Sequence, residues 1–200
     1  MIIDPKKITP QETYKLLIGG ITPRPIAWVS SISSEGIVNL APFSFYTVAS
    51  ANPPVLCFNP MYNNDAEAKD TLRNIREQRE FVINSVSAKD LETMNMTCHD
   101  LPFEQNEFQY ASVEPANSSL IRPPRIKDAV VSYECRLNQI VDLGDDALSG
   151  HLILGNVVAI HVQDSAFDNY RISSDELDSI GRMSGNDYSR TRDRIQLSRK

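Results

Sequence analysis

The chain reads as a mainly β barrel with short helical additions. Three observations carry that reading. Six or more apolar runs of strand length recur along the sequence, each bounded by Gly, Pro, Asn or Ser. The helical patterns between them are short. No G-x-G-x-x-G stands between a strand and a helix, so the dinucleotide-binding fingerprint of an α/β fold is missing. The 200 residues contain no repeat, low-complexity tract or linker and are read as one domain, 1–200.

The first helix opens at Thr9-Pro10-Gln11-Glu12, with Thr as N-cap, Pro at the first helical position and Glu completing a capping box. Tyr14, Leu16, Leu17 and Ile18 give it an apolar side, and Gly19-Gly20 ends it, which suits a lid on one barrel end. Arg24 lies between Pro23 and Pro25, which hold it extended. It is read either as facing a ligand or as a solvated rim charge.

The organising stretch is Thr22 to Phe58. Ile26 to Val29 is a strand running into Ser30-Ser31, and Glu35-Gly36 turns the chain into Ile37 to Leu40, forming a hairpin. Pro42 cannot donate to a ladder and should leave the sheet locally irregular. A polar segment follows in which Phe43, Phe45 and Val48 alternate with Ser44, Thr47 and Ser50, and Val55 to Phe58 reads as a buried strand. Hydroxyls and backbone amides beside aromatic rings suit a flat, heteroaromatic ligand with a phosphate tail. A Ser-rich edge of an ordinary barrel has the same composition.

Asn63-Asn64-Asp65 marks a turn, and Asp70 is placed as the N-cap of a helix reaching about Gln78 that buries Leu72 and Ile75. The amides of a helix N-terminus attract anions, so Lys69 and Thr71 make this the best phosphate candidate, against a plain capped helix with a solvated lysine. Phe81 to Val86 is a strand, and Ser87 to Asp90 a second capping box opening a helix through about Met96. The polar segment His99 to Asn117 should cover the barrel or reach a partner chain.

Ala129 to Val141 is a long strand, Asp142 to Asp146 an acidic turn, and His151 to Val162 its antiparallel partner, with a bulge or bend at Gly155. His151 and His161 lie about 33 Å apart if that strand is straight, which argues against a histidine metal site. Arg182 and Met183 sit in a Gly-flanked turn, and Arg190, Arg192, Arg194, Arg199 and Lys200 make the end basic.

Composition narrows the function classes. A net charge of −6 lacks the basic face that nucleic acid requires. No apolar run approaches a membrane span, and the N-terminus lacks a secretory core segment. Cys57, Cys98 and Cys135 form no C-x-x-C pair, which points to a reducing, cytoplasmic setting.

PRPIAWVSS, then G-x-x-NLAPFSFY, S-x-NPP, KDT-x-x-NI and EF-V-x-N resemble the flavin reductase-like proteins, from about Ile21 to Tyr188. The resemblance implies a split, antiparallel, Greek-key-like β-barrel, FMN as cofactor, NADH or NADPH as electron donor, and a homodimer. The flavin carries the redox chemistry, so no catalytic side chain is required. On motif position and chemistry, Trp28 and Phe43 would wall the ring, and amides from Asn39, Leu40 and Ala41 with Ser44 would face its N1 edge. Ser30, Ser31 and Ser50 would reach the ribityl chain or phosphate, and Lys69 and Thr71 the phosphate. Phe167 would stack from a partner chain, and the R-x-x-G-x-x-Y segment beginning at Arg182 would lie near the pocket. The competing readings are an electron carrier or flavin-binding module without nicotinamide activity, a barrel that binds no cofactor, and a pyridoxine-phosphate-oxidase-like enzyme, which rests on fold analogy alone.

Overall fold

The computed structural model describes residues 1–99 and 101–198; Arg199 and Lys200 of the basic end lie outside them. The helices are α1 (Pro10–Gly20), α2 (Asp70–Gln78), α3 (Leu91–Met96), α4 (Glu107–Tyr110) and α5 (Ser174–Leu177). The strands are β1 (Ala27–Ile32), β2 (Val38–Phe43), β3 (Tyr46–Ala51), β4 (Pro54–Phe58), β5 (Glu80–Asn84), β6 (Pro115–Ala116), β7 (Arg125–Ile126), β8 (Val131–Asp142), β9 (His151–Val162), β10 (Phe167–Asp168), β11 (Arg171–Ile172), β12 (Ile180–Arg182) and β13 (Tyr188–Arg190).

Seven strands form one antiparallel sheet in the order β2-β1-β5-β8-β9-β4-β3, and β6–β7, β10–β11 and β12–β13 are separate hairpins. β2 and β3 are neighbours in the chain yet occupy opposite edges of the sheet. Laid flat, seven strands would hold those edges about 29 Å apart. Only Ser44 and Phe45 join them, which limits the gap from Phe43 to Tyr46 to about 11 Å. The sheet must therefore roll up. Its two edges meet through the chain, and no ladder between β2 and β3 is found among the described residues.

Rolling the sheet makes two large cores, beside a small cluster of Val130, Val131 and Ala166. Ala27, Val29, Phe43, Leu56, Phe58, Phe81, Ile83, Cys135, Leu137 and Ile153 pack on the inner face, and Leu72 and Ile75 of α2 plug one end. The outer face carries Ile26, Trp28 and Leu40 against Val86, Met94, Phe108, Ile126 and Ile180. Phe58 lies 5.2 Å from Phe43 and 5.5 Å from Phe81, so each large ring is held by another. Removing such a side chain from water is worth about 1.5–3 kcal/mol, which makes these cores the main source of stability.

Several elements differ from expectation. The polar segment after Phe43 is itself a strand, β3, because half of its backbone can pair with β4 at the sheet edge. Pro42 stays in register opposite Trp28, and the shifts fall instead at Val48/Ser50, Glu134/Cys135 and Leu137/Gln139. β2 is an edge strand, and the neighbouring Leu40 amide faces away from β1 towards Glu107. Pro42, two residues on, therefore has its missing donor on the open side. Lys69, not Asp70, is the N-cap of α2, and Asp70 turns to Arg73 at 2.7 Å. β5 stops at Asn84, whose side chain leaves the strand pattern to bond Trp28, Ile126 and Ser132.

In α1 the capping box forms as expected, but Leu16 and Leu17 remain exposed and only Ile18 is buried. Arg24 anchors the helix instead. Its guanidinium donates to the carbonyls of Ile18 (2.7 Å), Ile21 (2.8 Å) and Met183 (2.9 Å), which satisfies the helix C-terminus with a positive charge. At 5 % exposure it is no solvated rim charge.

Candidate functional site

β1, β2 and α2 build a buried polar cluster at the plugged end of the barrel. Ser31 and Asn39 are opposite each other in the β1–β2 register and share a face. Thr71 and Asn74, three apart on α2, turn towards them. Asn39 Nδ2 donates to Thr71 Oγ1 at 2.8 Å and to Ser31 Oγ at 3.4 Å, and Asn74 Nδ2 donates to Ser31 Oγ at 3.1 Å. Asn74 Oδ1 is buried without a donor. A buried acceptor left open this way is costly and suits a hydroxyl-bearing ligand or a water. Ser31 and Thr71 are themselves fully buried, so in this conformation they brace the wall.

The tail returns to this region. β12 and β13 are joined by a turn in which Gly185 takes a φ of 59°, a left-handed conformation that suits glycine. Arg182 donates to the Gly185 carbonyl at 2.6 Å and lies over the Tyr188 ring at 4.5 Å, while the Tyr188 hydroxyl reaches Asn95 at 3.4 Å. Crowding around Cys98 pushes its thiol up, and the charges of Arg182 and Lys69 pull it back. The Tyr188–Asn95 contact seats the tail turn against α3. The start of α2 offers its first amides, the Lys69 ammonium and the Thr71 hydroxyl, with the open Asn74 acceptor one turn further along the helix. Such a donor set suits a phosphate with a polyol attached.

Residues 19–178 match the flavin reductase like domain. The chain belongs to the flavin reductase-like family. Among solved structures, nitrilotriacetate monooxygenase component B from Bacillus cereus is 34 % identical with a TM-score of 0.93, covering 98 % of each chain. The 2-nitrobenzoate 2-nitroreductase of Pseudomonas fluorescens is 31 % identical with a TM-score of 0.90, covering 100 % of this chain and 96 % of its own. A Shewanella frigidimarina chain with a split barrel domain is 17 % identical with a TM-score of 0.85 over the whole of both chains, which shows the shared fold.

The motif residues of this flavin reductase-like chain do not all converge. Ser31, Asn39 and Thr71 come together in one buried cluster with Lys69 at the N-cap of the same helix, while the described partners of Arg182 lie in the tail and at Arg24. Ser30 points to the opposite face of β1 from Ser31 and donates to the Pro124 carbonyl at 2.5 Å. Trp28 and Phe43 are packed into different cores on opposite faces of the sheet, and the Trp28 indole donates to Thr97 at 3.0 Å. In this conformation they cannot flank one ring. Leu40 is buried and its amide donates to Glu107 at 3.1 Å, while Ala41 packs against the inner core. Ser44, at the corner between β2 and β3, accepts from Arg24 Nε at 3.4 Å. Ser50 is half-buried beyond the β3 bulge. Phe167 is 48 % exposed on the β10–β11 hairpin, beside Tyr170.

Sequence reasoning missed Asn74 and Glu107. Asn74 stands inside the quoted KDT-x-x-NI motif, three residues after Thr71, and that helical spacing was the available signal. Glu107 lies in a loop-like stretch with no periodicity to show that it would be buried at 6 % exposure against the β2 edge. Among the described residues no group of three or more His, Cys, Asp or Glu could hold a metal, and no helix is long and apolar enough to cross a membrane.

Proposed function

We propose that the protein is an FMN-dependent oxidoreductase that draws reducing equivalents from NADH or NADPH and passes them to an acceptor. The observation that carries this reading is the buried Ser31–Asn39–Thr71–Asn74 cluster at α2, with its open Asn74 acceptor, in a chain of the flavin reductase-like family. The two structural relatives above 30 % identity, a monooxygenase component and a nitroreductase, support an electron-delivering role. FMN supplies hydride acceptance and onward electron transfer when it is bound. The chain's own task is then to bind and orient.

Lys69, Arg182 and the first amides of α2 hold the phosphate, and Asn74 Oδ1 accepts from a ribityl hydroxyl. Ser44 and the neighbouring backbone at the β2–β3 corner hold the polar edge of the ring. The proposal includes a cytoplasmic homodimer in which the exposed Phe167 reaches the partner chain. The test is an anaerobic titration with FMN followed by NADH and NADPH, read in the visible flavin band. One FMN per chain that bleaches with either nucleotide is the expected result. Lys69→Ala and Arg182→Ala should each weaken FMN binding roughly ten-fold, the size of one charge-assisted hydrogen bond. Absence of FMN binding overturns the proposal, and a band bleached by dithionite alone overturns its nicotinamide half.

A further inference from the structure

A second concavity lies at the barrel end away from α2. It has a volume of about 350 Å³ and is lined by the segment entering β1, the start of β3, the end of β5, the start of β8 and the tail strand, including Arg24, Tyr46, Tyr133, Pro23, Pro25 and Ile180. That volume is at the small end of the range for small-molecule sites, about 300–1,000 Å³. Tyr46 and Tyr133 stand on the inner face, opposite Phe58 and Ile83 in the ladders, so their rings project into the mouth of the barrel. Neither hydroxyl meets a protein partner among the described residues. Both residues line the same cavity, and burial pushes both phenols up, so they stay protonated donors.

Arg24 gives this mouth its charge. The guanidinium is buried, its described partners are three carbonyls and the Ser44 hydroxyl, and none is a carboxylate. No Asp or Glu lines the cavity. A buried cation without a counter-ion is costly, and burial accordingly pulls the Arg24 guanidinium down from its usual range. An anion entering the cavity would relieve that cost. Proline rings, tyrosine faces and aliphatic side chains form the remaining walls and favour a flat apolar body.

We propose that this cavity is a binding site for a single-ring aromatic carboxylate, whose anionic head meets the field of Arg24 and accepts from the Tyr46 and Tyr133 hydroxyls. The cavity adjoins the proposed flavin position through the Arg24–Ser44 and Arg24–Arg182 contacts, but none of the residues proposed to hold FMN lines it, so it does not depend on that assignment. The experiment is calorimetric titration of the full chain with benzoate and with benzamide, its neutral isostere. Benzoate should bind one per chain, at least ten-fold more tightly than benzamide, in the FMN-free protein. Tyr46→Phe and Tyr133→Phe should each weaken benzoate about three- to ten-fold, the range for one hydrogen bond, while unfolding at the wild-type temperature. Three results would overturn the proposal: no benzoate binding, equal affinity for benzoate and benzamide, or wild-type affinity in the double Tyr→Phe variant.

Discussion

Glu107 and Glu134 are both carboxylates held out of water, and their partners differ. Glu107 receives the Leu40 amide, but burial dominates and raises its pKa. Burial also opposes ionisation of Glu134, yet the amides of Ser119 (2.6 Å) and Leu120 (2.8 Å) together with His161 (2.5 Å) outweigh it, and its pKa is lowered. By linkage the two act with opposite signs. The contribution of Glu107 is present below its unfolded pKa and is lost as pH rises through its folded value. That of Glu134 is present above its unfolded pKa, about 4.3, and is lost as pH falls through its lower folded value. Glu107→Gln keeps an acceptor for Leu40 and should raise the urea midpoint at pH 7 with little change at pH 4. Glu134→Gln should lower stability at pH 7 by about 2 kcal/mol and flatten the acid limb, because hydrogen bonds to a charged acceptor are lost. Urea titrations from pH 4 to 8 check both signs.

At the scale of elements, the hydrophobic pattern located nearly every long strand, and the capping box located α1. Gly155 was readable as a special position, but not as what it is. It pairs in register with Leu56 and Leu137, beside the shift at Leu137/Gln139, and a Cβ there would sit 2.3 Å from Cζ of Phe81. The glycine makes room for an aromatic ring crossing the barrel. Gly155→Ala should therefore cost about 1–3 kcal/mol, the range for overpacking a core. Phe81→Leu should recover part of that loss in a double-mutant cycle measured by urea unfolding. The helix start at Lys69 shows the complementary limit. Asp70 has the composition of an N-cap, yet an arginine three residues along draws it into the first turn.

For the whole molecule, rolling the sheet decides where the polar residues go. The two-residue link between β2 and β3 brings the sheet edges together and creates both the corner at Ser44 and the mouth between Tyr46 and Tyr133. Exposed apolar side chains remain on α1 at Leu16, Leu17 and Ile21, and on the β10–β11 hairpin at Phe167 and Tyr170. A homodimer would cover such surface, as isolated apolar patches of this kind favour association. Sedimentation equilibrium should return twice the chain mass, and a monomer at micromolar concentration would remove the dimer from the proposed function.

The sequence by itself determined the fold class, the run of strands, the family motifs and the residue types able to hold a phosphate. Those features rest on local periodicity and on spacing along one element, which a linear pattern carries. Tertiary structure alone decided that Ser30 and Ser31 face opposite ways into different partners, and that Trp28 and Phe43 belong to separate cores. It also made Arg24 a buried anchor reaching Met183, 159 residues on, and brought Asn39 to Thr71 of α2. Each of those outcomes depends on sheet closure, which joins elements distant in sequence and leaves no mark in the spacing of any one of them.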